Sequence, residues 1–138
     1  MKFSKRSLDN LLGVHPDLCK IMHEAIKETP IDFTITEGLR TVQRQQELYA
    51  QGRTKPGTIV TQVDGLKKKS NHQVKDDGYG YAVDLYPYLS GSVQVNAVKE
   101  LKIIAAHIIA TAMRLGIKMD WGGSWTSFKD YPHFELKV

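Results

Sequence analysis

The stretch SNHQVKDDGYGYAVD, residues 70–84, decides how the chain is read. A histidine, His72, stands in a polar, glycine-bearing loop, and the loop runs into an apolar segment closed by Asp84. Neither residue is needed to make a loop. A His and an Asp brought to one point are two of the three protein ligands of a common catalytic zinc site. YAVDLYPY, residues 81–88, reads as a short buried strand closed by Pro87. Residues two apart in a strand face the same way, so Ala82, Asp84 and Tyr86 share one face.

Upstream of this strand, Arg53 to Gly80 is long and polar, and a loop of that length inside a compact domain is usually functional. Before it, TVQRQQELYAQG reads as a helix, with Thr41 as its N-cap and Gly52 as its stop. DFTITEG, residues 32–38, alternates apolar and polar residues as a strand does. Pro16 opens a helix whose apolar residues Leu18, Ile21, Met22, Ala25 and Ile26 recur at helical spacing, and Pro30 ends it. Downstream, a long helix starts near Asn96 and stops at Gly116, and IKMDWGG and HFELKV read as closing strands. This order predicts an α+β fold with a small antiparallel sheet packed with helices.

The chain has 138 residues, 41% of them hydrophobic and 25% charged, which predicts one ordered domain over residues 1–138. The formal net charge of +4 suits a polyanionic partner, including a cell wall. No basic helix with interleaved aromatics is present, which argues against nucleic acid. Cys19 is the only cysteine, so an intrachain disulfide and a thiolate metal cluster are both excluded, and it is read as a small buried hydrophobe. The N-terminal residues lack an apolar core of signal-peptide length. The most apolar stretch, residues 101–116, carries Lys102, His107 and Arg114 and is read as a buried helix, not a membrane span.

Five histidines are available. His15 lies in a cap region, His23 on a solvated face and His107 in a core helix. His72 and His133 differ, the first by its loop and the second by opening the last strand. His133 and Glu135 share a strand face. If the strands of Asp84 and His133 are neighbours, the two converge, and His72 supplies a third ligand. Two histidines and a carboxylate leave a coordination position for water, as hydrolytic zinc requires. Spacing alone does not decide the matter, and no HExxH is present.

The motifs SNH…GYAVD and DYPHFEL resemble those of the zinc peptidases of the D-alanyl-D-alanine carboxypeptidase-like group. More narrowly, they resemble the L-alanyl-D-glutamate endopeptidases used as phage endolysins. The shared pattern is Ser70 and His72, then Gly80, Ala82 and Asp84, then Asp130 with His133; residues 37–57 resemble the family's Arg-bearing segment. The likeness runs from about Thr36 to Glu135. It implies one zinc ion held by His72, Asp84 and His133. Asp130 is implied as general base and Arg40 as a contact to the substrate carbonyl or carboxylate, with Ser70 and Gln45 as further substrate contacts. Glu135, on the strand face of His133, is the rival for the role of base, and is read instead as orienting a ligand by hydrogen bonding. The implied substrate is the peptidoglycan stem peptide, cut at the L-Ala–D-Glu bond. The implied setting is a monomer without membrane insertion, made in the host cytoplasm and released to the wall by a separate pore-forming protein. The rival readings are a D-Ala-D-Ala carboxypeptidase or dipeptidase on the same scaffold, and a non-catalytic metal-stabilised wall-binding domain.

One departure from the family pattern stands out. Eleven residues separate His72 from Asp84, against six in the family, as though Lys75–Tyr79 were inserted. The extra loop is expected to bulge outward, and Asp76 and Asp77 in it are candidates for a second cation or a lid, against the plainer reading of a solvated acidic turn. Lys67–Lys69 is read as a solvated run, with anionic wall polymer as the alternative. Trp121 and Trp125 are read either as groove-lining or as core.

Overall fold

The structure, a computed structural model that describes residues 1–137, has nine helices and strands and one 3₁₀ turn; seven of the nine follow the expected order, and a short first helix and a two-residue strand are additions. Helix α1 (Lys5–Asn10) is capped by the Ser4 side chain. Helix α2 (Pro16–Glu28) has Pro16 in its first turn, and His15 Nδ1 accepts a hydrogen bond from the Asp17 N–H. Strand β1 (Phe33–Glu37) leads to α3 (Val42–Ala50), capped by Thr41 as its sequence indicates. No strand or helix interrupts residues 52–81, which are instead folded by turns and side-chain bonds.

Strand β2 (Ala82–Leu89) is the centre of an antiparallel sheet ordered β1-β2-β5-β4. Strand β3 (Ser92–Val93) folds back on the end of β2 as a hairpin that the sequence reading did not include. Helix α4 (Val98–Leu115) follows and ends on Gly116, whose φ of 70° is the left-handed conformation that glycine adopts without penalty. Strands β4 (Met119–Trp121) and β5 (His133–Leu136) complete the sheet. Among the described residues, no helix is long and apolar enough to cross a membrane.

Pro87 does not close β2, as the sequence suggested; it lies within the strand, opposite Phe33. Its carbonyl accepts from the Gln94 N–H, pointing away from β1. Since β5 pairs only with Ala82, Val83 and Asp84, the missing proline N–H interrupts no bond to β5.

The strand period sets where chemistry can occur. Val83 and Leu85 of β2 and Phe134 and Leu136 of β5 point into the core, against Leu18, Ile21 and Met22 of α2 and Leu101, Ile104 and Ile108 of α4. Each of these buried side chains contributes roughly 1.5–3 kcal/mol. Asp84, His133 and Glu135 alternate with them and so emerge on the opposite face. His107 packs between the helices with Nε2 bonded to the Ala25 carbonyl at 2.9 Å, a satisfied core histidine. Cys19 is half-buried, and burial raises its thiol pKa.

Candidate metal centre and cleft

Asp84 and His133 are direct partners across β2 and β5, so the sheet brings them together. His72 arrives from the loop and is buried. Its Nδ1 lies 2.9 Å from the Gly38 carbonyl, which can only accept, so Nδ1 carries the proton and Nε2 turns its lone pair inward. Gly38 is required here, because a Cβ would collide with the Asn10 carbonyl of α1. His133 is fixed in the opposite sense. Its Nε2 donates to Glu135 Oε1 at 2.6 Å, leaving the Nδ1 lone pair facing the same point. Glu135 is held in turn by Asn71 Nδ2 at 2.7 Å, a bond between loop and strand that the sequence reading did not anticipate.

The inward atoms form a triangle. His72 Nε2 lies 3.2 Å from His133 Nδ1, and Asp84 Oδ1 lies 3.3 Å and 3.5 Å from them. A tetrahedral ion with bonds of about 2.0–2.1 Å needs ligand atoms roughly 3.3–3.4 Å apart. Asp84 Oδ1 is buried without a hydrogen bond, and two imidazole lone pairs face each other beside it. Such a set requires a cation or a proton at its centre, so the residues fit a metal ion, and these three are the group among the described residues able to hold one.

The electrostatics carry the same signature. Burial works to raise the Asp84 carboxyl, but the facing His72 and His133 rings outweigh it and hold the pKa far below the ordinary carboxylate range. Burial works to lower His133, but Asp84 and Glu135 outweigh it and push the pKa up to about 9. Asp130 stands beside the triangle, with Oδ2 4.0 Å from His133 Nδ1. Burial, reinforced by the Asp84 charge, raises its pKa. Asp130 is held by its N–H to the Gly122 carbonyl at 3.1 Å, in the 3₁₀ turn Gly122–Ser124. The two backbones approach so closely that a Cβ on Gly122 would strike the Asp130 carbonyl.

The triangle lies in a cleft of about 760 Å³, whose lining includes Arg40, Ser70, Asp130, Trp125, Phe128 and Lys69. Of the residues singled out in the sequence, Ser70 lines it and its Oγ accepts from the His72 N–H. Arg40 lines it too, but its guanidinium is largely engaged. Nε and Nη2 grip Glu37 at 2.8 and 3.0 Å, Nη1 donates to Gln45 at 2.8 Å, and Nη2 lies 3.5 Å from Asp84 Oδ2. The Glu37 partner was not singled out in the sequence, although its i,i+3 spacing from Arg40 offered the signal. Gln45 differs from its expected place. It is fully buried, and beyond accepting from Arg40 it donates to Thr61 Oγ1 and the Val63 carbonyl. Its amide is thus taken up by protein partners and is no surface for substrate. The tryptophans divide: Trp121 stacks on core Phe134 and donates to the Tyr131 carbonyl, while Trp125 lines the cleft against the His133 ring.

The Lys75–Tyr79 loop bulges outward and does not line the cleft. It is a turn closed by Lys75 N–H to the Tyr79 carbonyl at 2.9 Å. Asp77 bonds the Tyr81 hydroxyl and the Tyr79 N–H, and its carboxylate lies 3.9 Å from His15 Nε2. The Asp77 oxygens are therefore turned toward protein partners, and the candidate second cation at Asp76 and Asp77 has no gathered ligand set among the described residues, in keeping with the plainer reading of an acidic turn.

Residues 1–137 match the family described as phage L-alanyl-D-glutamate peptidase. The chain is 39% identical over 111 residues to the peptidoglycan L-alanyl-D-glutamate endopeptidase CwlK of Bacillus subtilis (strain 168), across 77% of this chain and 61% of that protein. It therefore spans only about three fifths of the length of that relative. It is 32% identical over 136 residues to the L-alanyl-D-glutamate peptidase of Escherichia phage T5, across 99% of this chain and 89% of the phage protein. The crystal structure of the Serratia marcescens L-Ala D-Glu endopeptidase ChiX is similar with a TM-score of 0.77 at 33% identity, covering 99% of this chain and 90% of that one.

Proposed function

The chain belongs to the phage L-alanyl-D-glutamate peptidase family, and from that premise we propose that it is a zinc endopeptidase that hydrolyses the L-Ala–D-Glu bond of the peptidoglycan stem peptide. The observation that carries this reading is the pair of inward imidazole lone pairs beside the unpartnered Asp84 oxygen, in the cleft. His72, Asp84 and His133 would hold one zinc ion. Zinc at that position supplies Lewis acidity, polarising a carbonyl and making water acidic enough to ionise near neutral pH.

The chain's own groups do the rest. Asp130 accepts a proton from the attacking water. The water oxygen bonds to the alanyl carbonyl carbon, the C–N bond breaks, and Asp130 returns the proton to the departing D-glutamate nitrogen. Its raised pKa supports that double role, since a carboxylate with a stronger hold on a proton is a better base. Arg40 holds Asp84 Oδ2, which leaves Oδ1 for the ion, and its remaining Nη1 hydrogen is available to the substrate carbonyl oxygen. Glu135 and Asn71 fix the His133 ring. Ser70 sets the turn that presents His72.

Residues 1–138 act in this reading as one zinc peptidase domain and as a monomer. The biological setting that fits is lysis of a bacterial host by a phage or prophage endolysin, made in the cytoplasm and admitted to the wall by a separate pore-forming protein. The test is mass spectrometry of purified peptidoglycan after digestion, with and without a chelator. New L-Ala carboxyl and D-Glu amino termini that vanish with chelator are expected. Release of terminal D-alanine instead would assign the scaffold to a carboxypeptidase.

A further inference from the structure

The floor of the cleft is acidic. Asp84, Asp130 and Glu135 gather there, and the neighbouring Arg40 is committed to Glu37 and Gln45. The substrate is acidic too. A glutamyl residue joined through its nitrogen has two carboxyl groups; the peptide continues through one, and the other stays free. That carboxylate lies only a few bonds from the departing nitrogen, so it must be placed near the acidic floor without being repelled by it. A zinc ion would offset part of that negative charge but would be taken up by water and the scissile carbonyl, and Arg40 is engaged with Glu37 and Gln45, so a cation on the cleft wall is the group suited to meet the free carboxylate.

Lys68 and Lys69 line that wall. Both are exposed, and neither has a carboxylate partner within 4.0 Å among the described residues. Lys129 also lines the cleft, but its Nζ is bonded to the Gly123 carbonyl at 3.2 Å.

The backbone that carries the lysine pair is a built turn, which fixes where the two side chains start. Asp64 Oδ1 accepts three backbone N–H groups, from Leu66, Lys67 and Lys68, at 3.0, 3.0 and 3.2 Å. The Gly65 N–H donates to the Lys68 carbonyl at 2.9 Å, with Gly65 at φ 87°. Buried Gln73 straps both ends of the turn, accepting from the Ser70 N–H at 2.8 Å and donating to the Gly65 carbonyl at 3.1 Å. Buried Gln45 ties the preceding residues Thr61 and Val63 to α3 and packs on Gly65. Lys69 lies three residues from His72, a chain distance of at most about 10 Å, within which a lysine side chain reaches a group next to the scissile bond.

Resting on the peptidase reading above, we propose that Lys68 and Lys69 form the subsite for the free carboxylate of the D-glutamyl residue. The lysines thereby make the enzyme sensitive to whether that carboxylate is free or amidated. Neutralising it removes a charge-assisted interaction while leaving the scissile bond unchanged.

The experiment uses the zinc-loaded full chain and two synthetic stem peptides, identical except that the free glutamyl carboxylate is a carboxamide in one. The reading is the ratio of kcat/KM for carboxylate over carboxamide. The wild type is expected to favour the carboxylate by roughly tenfold or more, the scale of a hydrogen bond to a charged group. In the double variant Lys68→Gln, Lys69→Gln the ratio falls toward one, with zinc content unchanged. The charge-matched control Lys2→Gln, Lys20→Gln, on residues remote from the cleft, keeps the wild-type ratio. If the Lys68, Lys69 variant loses activity on both peptides equally and keeps its ratio, the lysines only steer polyanions and the proposal is overturned. A wild-type ratio near one also overturns it while leaving the peptidase reading intact. Failure of the wild type to cut either peptide overturns both.

Discussion

At the residue scale, the site is a set of protonation states imposed by neighbours. The Gly38 carbonyl and Glu135 select the histidine tautomers, so the two rings differ in which nitrogen faces the centre of the triangle. His72→Ala and His133→Ala are each expected to lose most of the bound zinc, read by elemental analysis, and retention in both would exclude the ligand set. Glu135→Gln keeps the shape but weakens the acceptor, and zinc affinity should fall by about 10–100-fold in competition with a chelator. Asp130→Ala should keep fold and zinc while kcat drops roughly 10²-fold or more. The metal-free protein gives a pH test. The His133 pKa is raised from 6.5 to about 9 on folding, so its contribution to stability is complete below 6.5 and is lost as pH rises through about 9. Asp84 is depressed, so its contribution is present above its unfolded pKa and is lost as pH falls below it. The chelated protein should therefore melt at progressively lower temperature between pH 6.5 and 9. At pH 7.5 the ion must displace the His133 proton, so zinc binding should release acid, which a pH indicator detects.

At the element scale, β2 and β5 present apolar residues to the helices and ligands to the cleft, one function per face. That division was legible in the sequence because strand period is a local property: Asp84 lies between Val83 and Leu85, and His133 precedes Phe134. The ends of α2, α3 and α4 were equally legible from Pro16, Thr41 and Gly116. What could not be read depends on contacts between distant residues. Gln45 sits on a polar-looking helix, and nothing local distinguishes a buried glutamine that braces a loop from an exposed one that meets substrate. Asn71 meets Glu135 across 64 residues, and Asp77 meets His15 across a gap of similar length. Pro87 looked like a strand end because its tolerance depends on where β5 stops. Two variants test these elements. Ile104→Ala in α4 removes a fully buried side chain and should cost about 2–5 kcal/mol in denaturant unfolding. Deleting Lys75–Tyr79 removes a turn whose ends already meet, so the shortened protein should still bind zinc in elemental analysis while melting lower, having lost the contacts to His15.

At the scale of the whole molecule, zinc is expected to act as a stabilising ligand, since the triangle exists only when sheet and loop are assembled. Free zinc at about 1,000 times its dissociation constant should add about 4 kcal/mol of stability, visible as a higher melting temperature that chelator reverses. The sequence and the sheet also join parts of the chain that lie far apart. The Gly80 N–H donates to the Gly13 carbonyl and the His15 N–H to the Gly80 carbonyl, both at 2.9 Å, so the segment entering α2 is hydrogen-bonded to the connection between His72 and Asp84. Opening that connection to free either ligand means breaking these bonds as well. The N-terminal segment and the His72–Asp84 connection are therefore expected to open together, and ion binding should slow amide hydrogen exchange at His15 as well as at Gly80. A chain shortened past Val14 would keep all three ligands in its sequence yet lose the strap that holds their spacing.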